Sequence, residues 1–147
     1  MLFPTATLDA IEQAIKRAEL THAGEVRFAI ETSLTPRHIL NDITPRAHAL
    51  EVFSQLRVWD TEANNGVLIY VQLADRNVEI VADRGIDAKV GAAGWQKICA
   101  GMETEFKRSN FEGGVIAGIA AVSRELARYF PAQAAGPNEL PDAPVVI

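Results

Sequence analysis

Cysteine is nearly absent from this chain of 147 residues. Cys99 stands alone, which excludes an internal disulfide and any cysteine-based zinc site. Long apolar runs are missing as well, and no stretch approaches the length that a membrane span requires. Positive charge is scarce. Lys and Arg total 14 against 19 Asp and Glu, a net charge of −5, whereas a general nucleic-acid binder needs a basic face. The partners this charge suits are cations, small molecules or other proteins. The opening Met1-Leu2-Phe3-Pro4-Thr5 has no basic segment leading into an apolar one. The expectation is therefore a cytoplasmic chain with no signal peptide and no direct membrane insertion. His22, His38 and His48 are scattered, outside any HExxH spacing. No G-x-S-x-G or GxxxxGK[ST] occurs, and Gly85, Gly91 and Gly94 do not form GxGxxG, so no nucleotide cofactor is expected.

What is present fits one soluble globular domain. Hydrophobic residues make up 48% and charged residues 22%, and the length suffices for a real core. Leu8, Ile11, Ile15 and Ala18 recur at helical spacing, which predicts a first helix over about 8–21 with Thr7 as its cap. In Glu25 to Glu31, Val26, Phe28 and Ile30 alternate with polar or small residues, as in a strand with one well-buried face. A loop over 33–43 contains Pro36. Thr44-Pro45 then reads as cap and first residue of a second helix over about 45–57, with Leu50, Phe53 and Leu56 inward. Val67 to Leu73, the most continuous apolar run, reads as a central strand. Asp75-Arg76 makes a turn, and Val78, Ile80 and Ala82 return as a second hairpin strand. A third helix over about 93–107 buries Trp95, Ile98, Cys99, Met102 and Phe106. Asn110 caps a fourth over about 111–129, with Val115, Ile119, Val122 and Leu126 on one side. The folded domain ends near residue 131, and 132–147 is a Pro-containing extended tail. The order α-β-α-β-β-α-α contains a βαβ crossover followed by a hairpin. It predicts an α/β sandwich around a small mixed sheet.

The hairpin also locates candidate chemistry. With Asp75 and Arg76 as the two turn residues, Val67 faces Arg84, Leu68 faces Asp83 and Gly66 faces Gly85. The loop before the hairpin then lies beside its exit. That gathers the carboxylates of Asp60, Glu62, Asp83 and Asp87 with the amides of Asn64 and Asn65, and adds Arg84 as a group for an anionic ligand. Calcium takes about six to eight oxygens in irregular geometry, and magnesium also prefers carboxylates, so either cation fits such a cluster. The same residue types also dominate ordinary turns and caps, and that reading stays open. A second candidate site lies at the carboxyl ends of the strands, with Glu31, Ser33, Asp75 and Arg76. Glu31 continues the polar face of its strand, so it is expected to face solvent. Cys99 falls on an apolar stripe and is expected to be a buried, inert thiol.

These residues carry a resemblance. Asn65-Gly66-Val67-Leu68-Ile69, then Ala74-Asp75-Arg76-Asn77-Val78-Glu79-Ile80, then Gly85-Ile86, resemble the signature of the TPM domain family. The segment Phe106-Lys107-Arg108-Ser109-Asn110-Phe111-Glu112-Gly113-Gly114 resembles the family's closing stretch. Gly24 to Ala29, Arg57 to Glu62 and Asn138 to Asp142 resemble a short bacterial branch. The family's Gly-Tyr-Gly-like hairpin exit is Asp83-Arg84-Gly85 in this chain. The resemblance implies a three-layer, Rossmann-like α/β/α sandwich. It also implies two functional expectations, because some members are described as acid phosphatases and some bind calcium. The favoured expectation is a non-catalytic module that binds a divalent cation, a protein, or both. The alternative is a metal-assisted phosphomonoester hydrolase. Association of bacterial relatives with LemA-type membrane proteins implies a partner of that kind.

Overall fold

Two strands with both faces covered set the architecture. In the computed structural model, which describes residues 4–32, 43–132 and 139–147, β1 (Glu25–Glu31) and β2 (Gly66–Gln72) pair in parallel. Val26 lies opposite Val67, and Ile30 opposite Val71. Every residue of β2 is buried, and on β1 only Arg27 is less than fully buried. The expectation of a single buried face for β1 is therefore corrected. Ala29 is fully enclosed, and Glu31 is only 2% exposed, contrary to its expected place in solvent. A parallel pair carries helices on both sides, so even its polar positions meet protein.

Helix α1 (Thr5–Ala18) begins earlier than the sequence suggests. The Pro4 carbonyl accepts the N–H groups of both Thr7 and Leu8, so Pro4 takes the capping place expected of Thr7. Helix α2 (Pro45–Gln55) begins as read, with the Thr44 hydroxyl accepting the Ala47 N–H at 3.1 Å. Phe53 and Leu56 pack partly buried against the core as expected, but Leu50 does not. His48, Ala49 and Val52 are buried, whereas Leu50 is 48% exposed. Strand β3 (Asn77–Ala82) runs antiparallel to β2, pairing Val67 with Ala82 rather than with Arg84. Leu73 to Arg76 all belong to the turn, closed by the Arg76 N–H on the Leu73 carbonyl at 3.1 Å. The pairing thus slips by two residues, and an even slip leaves each side chain on its expected face.

Helix α3 (Arg84–Lys107) begins well before the predicted residue 93. Asp83 is its cap, and Gly91 interrupts it at φ 77° and ψ 163°, a conformation outside the range of ordinary L-residues. Helix α4 (Phe111–Tyr129) follows, with Val115, Ile119, Val122 and Leu126 buried as expected. Helices α1, α3 and α4 cover one face of the sheet, meeting Phe28, Ile30, Ile69 and Ile80. Helix α2 covers the other, where Val52 and Val58 meet Leu68, Tyr70 and Val81. The result is the expected three-layer α/β/α sandwich. Cys99 and Trp95 lie in the first core, and burial pushes the Cys99 thiol up to about 12.

Residues 139–147 return to the sheet. Leu140 is buried against the α2 layer, and β4 (Val145–Val146) pairs in parallel with Ala29 and Ile30, giving the order β3-β2-β1-β4. Arg27 Nη1 donates to the carbonyls of Pro141 at 3.1 Å and Ala143 at 2.9 Å. The Glu139 N–H donates to Glu25 Oε1. Glu19, at the end of α1, hydrogen-bonds Asp142. At the opposite margin, the outward backbone groups of β3 meet side chains. Arg46 Nη1 donates to the Ile80 carbonyl at 2.5 Å, and Glu103 Oε2 accepts the Val78 N–H at 3.4 Å.

Two outcomes follow from this packing. A Cβ at Gly66 would lie 2.1 Å from the Val58 carbonyl oxygen, a backbone atom with no freedom to turn aside. Gly66→Ala should cost about 2 kcal/mol, read as a lowered urea midpoint at unchanged slope. The second concerns Glu19. Burial, and then the neighbouring Asp142, push its carboxyl from 4.5 up to about 9. The folded state therefore holds this proton more tightly than the unfolded chain. The corresponding stability is complete below pH 4.5 and is lost as pH rises through about 9. Glu19→Gln, which mimics the protonated acid, should gain stability relative to wild type across that window in denaturation curves taken against pH.

Candidate functional site

The loop that leads into β2 does meet the start of α3. A Cβ placed on Gly85 would lie 2.6 Å from the Ala63 carbonyl oxygen and 2.4 Å from that of Asn64. The Asp83 N–H donates to the Gly66 carbonyl at 2.9 Å, fixing the hairpin exit against the head of β2. Asn64 turns the chain at φ 53°, a conformation that Asn adopts more readily than most residues. Thr61 is buried, and its hydroxyl accepts the Asn65 N–H at 3.1 Å. The juxtaposition inferred from the hairpin is thus present.

The side chains within it are less convergent than the sequence suggests. Asp60 pairs with Arg57 at 3.0 Å on the surface, and the Arg57 guanidinium also lies over the Trp59 ring. Glu62 is exposed, and its N–H donates to Glu139 Oε2 at 3.1 Å. Asn65 is 2% exposed and directs Nδ2 to the Ala23 carbonyl at 3.2 Å, leaving Oδ1 without a partner among the described residues. Asp87 Oδ1 accepts the Trp95 indole N–H at 2.8 Å. Arg84 is exposed in the first turn of α3. Asp83 is the informative member. Its Oδ1 accepts the Arg84 N–H at 2.8 Å, as a helix cap does, while its Oδ2 is buried with no hydrogen-bond partner among the described residues. Among the described residues, no three His, Cys, Asp or Glu side chains are arranged to hold a metal ion.

The same end of the sheet gathers carboxylates that the sequence analysis did not single out. Glu25 accepts from the Glu139 N–H, Glu19 hydrogen-bonds Asp142, and Glu139 reaches the Glu62 N–H. Burial holds the Glu25 carboxyl above its usual range, although the Glu139 N–H opposes that shift. Burial also lowers the pKa of the Arg27 guanidinium. No local pattern announces this cluster, because residues 139–142 reach it only by folding back along β1.

The second candidate group divides. Glu31 Oε2 accepts the Tyr70 hydroxyl at 2.5 Å and lies 2.7 Å from His48 Nε2, while His48 Nδ1 faces Glu51 at 3.5 Å. The His48 and Tyr70 rings meet edge to face, 5.5 Å between centroids. Burial, followed by the bond to Glu31, keeps the Tyr70 phenol protonated far above its ordinary range. Gln72 hydrogen-bonds Tyr70 and is 3% exposed, with Oε1 unpartnered among the described residues. This chain of polar groups joins β1, β2 and α2, and its burial makes it a clamp between layers. Asp75 and Arg76 are exposed at the hairpin tip, apart from this clamp, and Ser33 lies outside the described residues.

Comparison with known proteins agrees with this architecture. The BA42 protein from the psychrophilic bacterium Bizionia argentinensis is similar in structure, with a TM-score of 0.86 and 31% identity, over 100% of this chain and 97% of that one. The N-terminal domain of a protein from P. gingivalis shares the fold at a TM-score of 0.69 and 20% identity, over 88% of this chain and 79% of that one. No curated protein matches the chain. Among the described residues, no helix is long and apolar enough to cross a membrane. The sequence itself matches the TPM domain over residues 1–125, and with the segments gathered around this hairpin the chain belongs to the TPM domain family.

Proposed function

We propose that the chain is a non-catalytic binding module that holds a divalent cation, calcium or magnesium, between residues 58–66 and the head of α3, and presents that surface to a protein partner. The observation that carries this reading is the buried, unpartnered Oδ2 of Asp83. A carboxylate oxygen taken from water without a donor is costly, and a cation offsets that cost directly. The carbonyls of Ala63 and Asn64 lie against the same turn of helix, and backbone oxygens are ordinary calcium ligands. Asp60 and Glu62 are exposed beside them, and a surface pair such as Asp60–Arg57 is worth ~0–1 kcal/mol, so it exchanges readily. Waters complete such a shell. The partner class suggested by the family is a LemA-like membrane protein.

The alternative is a metal-assisted acid phosphatase, in which the same cation acts as Lewis acid and Arg84 meets the phosphate. Both readings use Asp83, so one experiment separates them. Calcium and magnesium are titrated into the labelled chain while amide shifts are followed, beside an assay with a phosphomonoester. Saturable shifts at 58–66 and 83–87, in the range of about 10⁻⁴–10⁻³ M, are expected without turnover. Asp83→Asn should weaken them about tenfold. Turnover that is lost in Asp83→Asn replaces the module with the enzyme. Shifts centred on Glu19, Glu25 and Asp142, or none at all, sink the proposed site.

A further inference from the structure

The far end of the sheet carries a second concavity, lined at the tip of the hairpin and at the turn between α3 and α4. Its volume is about 390 Å³, within the range of ~300–1,000 Å³ typical of small-molecule sites. We propose that this hollow binds a small monocarboxylate with an apolar body, its carboxylate on Arg76 and its body against Leu73 and Phe111. The site is independent of the cation proposed above and lies at the opposite ends of the strands.

Three observations converge. The first is the wall. Phe106 and Phe111 stack at 5.0 Å between centroids with 26° between their planes, and Leu73 and Pro4 extend the apolar lining. The second is charge. The turn holds Arg76 at φ 55°, with its N–H on the Leu73 carbonyl, while its exposed side chain has no ion pair or hydrogen bond among the described residues. A guanidinium without a partner at the rim of an apolar hollow is suited to a planar carboxylate, which it grips with two parallel hydrogen bonds. The one carboxylate of the lining, Glu112, sits in the first turn of α4. A single cation facing a fixed negative charge favours a monoanion and disfavours the dianion of a phosphate monoester.

The third observation is which chain segments meet here. The lining takes Arg76 from the segment 74–80 and Phe106, Ser109 and Phe111 from the segment 106–114. These are two of the stretches whose sequences carry the family resemblance, and the fold brings them to one hollow. The Asn110 side chain donates to Glu105 Oε2 at 2.9 Å and makes no cap bond at the start of α4. The location also fits the general preference of open α/β sheets for ligands beyond the carboxyl ends of their strands, because β2 ends at this tip.

Phenylacetate, phenylacetamide and inorganic phosphate, each titrated into the labelled full chain, test the assignment. Phenylacetate should give saturable amide shifts at 5–8, 73–77 and 106–113. Binding should be at least about tenfold weaker for the uncharged amide and in Arg76→Gln, and partly restored in Arg76→Lys. Arg76 is exposed, so unchanged amide positions elsewhere will show that the variants fold. Asp83→Asn should leave this binding intact, which keeps it separate from the cation site. Absence of saturable shifts at these residues, equal binding of acid and amide, or tighter binding of phosphate would overturn the proposal.

Discussion

The parallel pairing of β1 with β2 is the constraint on which the other placements depend. Neither strand keeps a solvent face, so helices must cover both sides and every polar residue on the pair needs a partner inside the protein. Glu31 shows how that requirement is met. Its carboxylate is taken out of water between Tyr70 and His48, one from the neighbouring strand and one from α2. That contact orients α2 and turns its Leu50 outward. Arg27, the one β1 residue less than fully buried, supplies the corresponding anchor at the other margin, where it holds the carbonyls of residues 141 and 143.

Local signals in the sequence were sufficient for most of the fold. The run from Val67, the Thr44-Pro45 start, the alternation from Val26 to Ile30 and the stripe from Val115 to Leu126 each record the environment of one element. Features that depend on distant segments were not legible. Glu31 reads as a solvent residue because its charge is visible and its partners are far along the chain. Val145 and Val146 pair with β1 through backbone groups, which leave no mark on residue identity. The early start of α3 is hidden by Gly91, whose positive φ breaks the helical period, and by Asp83, which repeats the Ala-Asp-Arg triplet of the turn. The candidate loops were legible as neighbours because hairpin geometry relates them directly. The direction of each carboxylate within them was not, since Trp95 and Arg57 capture two of the four.

The two ends of the sheet differ in electrostatic character. At the amino ends of β1 and β2, carboxylates from the end of α1, from β1 and from the returning residues 139–142 crowd together, and burial, reinforced by Asp142, raises the pKa of Glu19. At the hairpin tip, the exposed Arg76 shares one hollow with the stacked rings of Phe106 and Phe111. One end therefore accumulates negative charge in a polar setting, and the other offers a positive group on an apolar wall.

The margins of the sheet differ as well. On β3, the Ile80 carbonyl is occupied by Arg46 and the Val78 N–H by Glu103, so an incoming strand finds two of its hydrogen-bonding sites taken. The other margin, β4, is only two residues long and carries no such cover among the described residues. An endless ribbon of sheets requires two complementary open margins on each copy. With two outward groups of β3 already bonded, strand pairing at that margin is opposed by geometry rather than by charge.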